Sequence, residues 1–132
     1  MNKHEELALK YFNEGYNCAQ SVLCAFADKT EFTEDQLFRL SEAFGAGMGG
    51  GKNVCGAVSA MVILAGLENS KGTDALPETN KKLSYAKADE LITEFENINK
   101  SVICRTIKEE KVRSCNGCIE DAVKILEDKL YK

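Results

Sequence analysis

The chain of 132 residues is the size of one domain, and by surface scaling it buries roughly two-thirds of its unfolded surface, enough for a real core. Its 17 Lys and Arg against 21 Asp and Glu leave a net charge of -4, which argues against a protein that holds nucleic acid or anionic lipid by charge alone. With 44% apolar residues, 29% charged and one proline, the composition is neither disordered nor collagenous, and it favours helices.

Glu5, Glu6 and Lys10 stand where a secretory signal needs an unbroken apolar stretch, so no export signal is read. The longest uncharged run, residues 53–67, is 15 residues, short of the ~20 that a bilayer-spanning helix needs. A cytoplasmic chain that is not embedded in a membrane is expected. Six cysteines are unusual for such a compartment and must be explained by chemistry or packing.

Leu7, Leu9, Tyr11 and Phe12 predict a first helix that Asn13 and Gly15 stop. A second begins near Asn17, where Ala19, Val22, Leu23 and Phe26 recur on one face and Cys18 occupies the first turn. Thr33 and Gln36 form a capping-box pattern ahead of a third, with Leu37, Phe38, Leu40 and Phe44 on its apolar side. Five glycines within residues 45–51 exclude regular structure, and an almost wholly apolar helix opened by Cys55 follows. Pro77 predicts the first turn of a long amphipathic helix carrying Leu83, Ala86, Leu91, Ile92 and Phe95. Cys104 falls in a short helix or turn, residues 101–107. Ile119, Ala122, Val123, Leu126 and Leu130 then form a closing helix with Cys118 in its first turn. The expectation is one all-α domain, residues 1–132, a compact bundle of about six helices with a Gly-rich loop before a buried central helix. Its apolar surplus makes a homodimer the expected assembly.

Cys18, Cys55 and Cys118 each fall at a predicted helix start, where partial positive charge and free N–H groups stabilise a thiolate. Cys24 points about 150° away from the apolar stripe of its own helix, yet a free cysteine often behaves as a small buried hydrophobe, and that is the reading favoured for it. Cys115-Asn-Gly-Cys118 is a CxxC, suited to a dithiol couple or to half of a metal site, and no second CxxC completes a zinc ribbon. The glycine run matches GxGxxG but follows a helix rather than a strand, and Asn53 replaces the Ser or Thr of a phosphate loop. It is read instead as a backbone able to approach a ligand beside Cys55, with Gly49, Gly50, Gly51 and Gly56 as candidate cofactor-binding positions. His4, the single histidine, is expected to be solvated, as are the carboxylates Glu94, Glu96, Glu109, Glu110, Glu120 and Asp121.

Asn17-Cys18-Ala19-Gln20, the glycine run, Cys55-Gly56-Ala57-Val58-Ser59-Ala60, Cys104-Arg105 and Cys118 before Asp121-Ala122 together resemble the C_GCAxxG_C_C family of small redox-active bacterial proteins. The resemblance covers roughly residues 10–130. It implies Cys18, Cys55, Cys104 and Cys118 as the family cysteines, leaves Cys24 and Cys115 as extras, and implies proximity to transport systems without naming a substrate. Ala60 stands where the family has glycine, which implies a looser helix contact there.

Three functions are open at this level. The first is thiol–disulfide exchange or electron transfer by Cys18, Cys55, Cys104, Cys115 and Cys118, with a redox protein or a small molecule as partner. The second is an iron–sulfur or zinc centre held by Cys18, Cys55, Cys104 and Cys118. The third is a non-enzymatic redox sensor in which exposed Cys24 and Cys115 report oxidation.

Overall fold

A computed structural model describes residues 2–132 as seven α-helices with no strand among the described residues. α1 (Lys3–Asn13) is capped by the Asn2 side chain and ends at Gly15, whose φ of 108° suits glycine. α2 (Cys18–Ala25) and α3 (Glu34–Ser41) open on complete capping boxes, Asn17 with Gln20 and Thr33 with Gln36. α4 (Gly56–Asn69), α5 (Lys81–Asn99), α6 (Cys104–Glu109) and α7 (Cys115–Ile125) follow, and α7 continues into a π-helical turn, Leu126–Leu130.

α4 is the central element, packed against α2 and α5, while α1 covers α2 and α7. Phe26, Leu23, Met61, Leu64, Leu91, Phe95, Ile119 and Leu126 interlock in the core. Burying such side chains contributes about 1.5–3 kcal/mol each, so the uncharged run at residues 53–67 finds its place as a core helix. Ala60 is fully buried there, and the core accommodates its methyl group.

Pro77 lies in the connection between α4 and α5, and α5 begins four residues later at Lys81. His4 is not solvated. Its side chain is only 17% exposed, stacks on Phe26 at 4.2 Å, and hydrogen-bonds Glu127 at 2.9 Å and Asp28 at 3.0 Å. Tertiary stacking across distant segments overrides the polar surroundings of residue 4 in the sequence. A second polar cluster ties α1 to α3: Tyr11 and Tyr16 both donate to the Glu34 carboxylate, with the two rings stacked at 4.5 Å.

Candidate functional site

Four helix starts meet at one end of the bundle. Cys18 is the first residue of α2, Cys104 of α6 and Cys115 of α7, and Cys55 immediately precedes α4. Cys118 lies one turn beyond Cys115, on the same face of α7. Such termini present free N–H groups and partial positive charge, which favour thiolates.

Local backbone features bring the starts together. Residues 52–55 and 102–105 align as an antiparallel bridge, in which Cys55 N–H donates to Val102 O at 2.7 Å and Cys104 N–H to Asn53 O at 2.6 Å. Cys55 and Cys104 thereby lie diagonally across the Val54–Ile103 pair, on one side of the bridge. Gly56 brings α4 against α2, since a Cβ there would stand 2.9 Å from the Ala19 nitrogen and 3.3 Å from the Phe44 oxygen. The glycine loop is wound tightly enough that Ala46, Gly47, Met48, Gly49, Gly50 and Lys52 all take positive φ. At Gly47 a Cβ would stand 2.6 Å from the Lys52 Cα, so this turn requires glycine on space as well as on φ. It closes one wall of the site.

The result is a cleft lined by Cys18, Cys55, Cys104, Cys115 and Cys118, together with Ala46, Gly47, Gly56, Ile107, Lys108 and Arg113. Its interior of about 20 Å³ has room for about one water. All six cysteines of the chain are free thiols. Cys55 and Cys118 are 5% and 4% exposed, whereas Cys18 and Cys115 are only half-buried and stand nearer solvent.

The thiols of the cleft lie near enough to influence one another. Cys118 lies within hydrogen-bonding reach of Cys55 and supports its thiolate; the Ala57 and Val58 amides and the Lys108 charge act in the same direction. Against the opposing effect of burial, they bring the Cys55 thiol from near 9.0 down to about 7. Cys118 moves the opposite way, held protonated first by its bond to Cys55 and then by burial. Cys18 is raised by burial and then by the nearby Cys115 and Cys55. Lys108 reaches the Cys115 sulfur, and that contact raises the lysine. Cys104 is raised by burial, which Lys108 partly opposes.

Among the described residues no group of three or more His, Cys, Asp or Glu is disposed to hold a metal ion.

A family model described as "Putative redox-active protein (C_GCAxxG_C_C)" matches residues 16–129. The chain belongs to that family. No curated protein and no solved structure matches it. The matched span of this C_GCAxxG_C_C protein holds all six cysteines and every residue of the cleft.

Gly56 lines the cleft of the C_GCAxxG_C_C protein, but Gly49, Gly50 and Gly51 form the exposed tip of the loop and do not. Cys24 is remote from the cleft and 1% exposed, its thiol donating to the Glu34 carbonyl at 3.6 Å. It is therefore not the exposed reporter that the sensor reading requires; residues 19–25 are buried on every side because α1, α3, α4 and α7 surround α2. Asp121 is likewise not on a solvated face. It is buried and accepts from Arg113 Nε at 3.1 Å, Arg113 Nη2 at 3.2 Å and Asn99 Nδ2 at 3.2 Å. Arg113 crosses Gly117 to make this pair, and a Cβ at Gly117 would collide with its guanidinium.

Sequence reasoning missed Lys108 and Arg113 in the cleft. For Lys108 a signal existed, since it follows Cys104 by four residues and shares its helix face. No helix here is long and apolar enough to cross a membrane among the described residues.

Proposed function

We propose that the protein works as a dithiol redox couple in which Cys55 is the attacking sulfur and Cys118 the resolving one. The observation that carries this reading is that Cys55, just before α4, and Cys118, in the first turn of α7, line one cleft. The Cys55 thiolate attacks the leading sulfur of a small substrate disulfide whose bulk stays outside the cleft, expelling the first substrate thiolate and leaving a mixed disulfide. Cys118 then gives up its proton and attacks the Cys55 sulfur, and the second substrate thiolate leaves. Two electrons pass to the substrate, and the Cys55–Cys118 disulfide is the oxidised protein. The amides of Ala57 and Val58 and the charge of Lys108 hold the attacking thiolate near neutral pH, where nucleophilicity and ionised fraction are both useful.

The test is reaction of the reduced protein with bis(2-hydroxyethyl) disulfide followed by peptide mapping. Wild type is expected to give a Cys55–Cys118 linked peptide, Cys118→Ser to accumulate the mixed disulfide on Cys55, and Cys55→Ser to give neither. A mixed disulfide that forms first at another cysteine contradicts the reading.

A further inference from the structure

The cleft is lined by two further, more exposed thiols, Cys18 and Cys115, that this chemistry leaves unused. Cys18 and Cys115 stand nearer its mouth than Cys55 and Cys118, and Lys108 reaches Cys115. α7 carries one sulfur of each pair, Cys115 and Cys118, a single turn apart on one face. Residues three apart on a helix put their Cα atoms within the span that a disulfide bridges. We propose that Cys18 and Cys115 form an outer dithiol that re-reduces the inner Cys55–Cys118 disulfide by intramolecular exchange through the CxxC of α7, and that a bulky dithiol partner reduces this outer pair. The proposal rests on the reading of Cys55–Cys118 as the inner couple.

The exchange runs in two balanced steps. Cys115 loses its proton and attacks the Cys118 sulfur, so that a Cys115–Cys118 disulfide forms and Cys55 departs as a thiolate, which takes up one proton. Cys18 then loses its proton and attacks Cys115, forming Cys18–Cys115 and releasing Cys118, which takes up the second proton. Two electrons have moved inward, and no atom is gained or lost. The direction of attack follows from the leaving group, because the more acidic thiol leaves faster and Cys55 is the one that its surroundings favour as a thiolate. Access gives the outer pair its purpose. Cys55 and Cys118 are buried, too little exposed for a protein-sized reductant to reach, whereas the half-buried Cys18 and Cys115 of the same cleft are more open to such a partner.

The test oxidises the reduced protein with one equivalent of diamide, quenches in acid at intervals, alkylates free thiols and maps the linked peptides. Wild type is expected to show Cys55–Cys118 first and Cys18–Cys115 later. Cys18→Ser is expected to accumulate Cys115–Cys118, and Cys115→Ser to remain at Cys55–Cys118. Reduction of the inner disulfide by a reduced thioredoxin-type dithiol protein is expected to slow at least tenfold in Cys115→Ser. An inner disulfide that forms normally, never migrates in wild type, and is reduced at the same rate in Cys115→Ser overturns the relay while leaving the inner couple intact. Absence of the Cys55–Cys118 linkage altogether overturns the inner couple itself.

Discussion

Gly56 and Ala19 hold the start of α4 against the start of α2, with the Cβ position of Gly56 only 2.9 Å from the Ala19 backbone nitrogen. Neither backbone can yield without moving a cysteine, because Cys55 and Cys18 are the adjacent residues. Gly56→Ala is expected to destabilise the protein by about 1–3 kcal/mol, the usual cost of overpacking. It is also expected to lower the yield of Cys55–Cys118 disulfide on mild oxidation. Urea unfolding and peptide mapping check the two effects separately, and a variant of wild-type stability contradicts the close contact.

The pH dependence of alkylation follows from the Cys55 thiolate. Its thiol is lowered from near 9.0 to about 7, so the reactive form is present above about pH 7 and is lost as the pH falls through that value. Iodoacetamide labelling of Cys55 is expected to reach half its limiting rate near pH 7. Cys118→Ala removes the largest supporting contact and is expected to move the midpoint upward, with Cys118→Ser moving it less because a hydroxyl still donates.

Lys108 favours the Cys55 thiolate through its charge rather than through any shape it fills. Lys108→Met is expected to raise the Cys55 midpoint and Lys108→Arg to retain it. Added salt is expected to narrow the difference between the two variants, as screening predicts. Equal profiles for Met and Arg count against an electrostatic role.

The Arg113–Asp121 pair is structural support for the turn that presents Cys115 and Cys118. Arg113→Ala leaves a buried carboxylate with Asn99 alone. The expected cost is about 1–3 kcal/mol, toward the lower end because the guanidinium is partly in solvent. Chemical denaturation measures it. Asp121→Asn paired with Arg113→Ala is expected to recover part of the loss.

How much of this was readable beforehand depends on the range of the interactions involved. Helix starts are local. Thr33 with Gln36 announces its capping box over three residues, and the box is where the pattern put it; the Asn17–Gln20 box at the start of α2 spans the same three residues but was not read. Thiol pairing is not local. The spacing of Cys115 and Cys118 suggests a couple within one motif, yet both line a cleft shared with cysteines of other elements, Cys18 at the start of α2 and Cys55 before α4. A helical wheel placed Cys24 away from the apolar stripe, and only the crowding around α2 explains its burial. His4 and Asp121 misled for the same reason, since their partners Phe26, Glu127, Asn99 and Arg113 are distant in the chain or hidden by charge.

The most direct measurement is a redox titration of the Cys18→Ser, Cys115→Ser double variant in glutathione buffers, with free thiols alkylated at each step. The account predicts one two-electron transition, in which Cys55 and Cys118 lose alkylation together and appear as a linked peptide. If both stay alkylatable across the oxidising range, or each is oxidised without joining the other, the pairing at the start of α4 has no redox role.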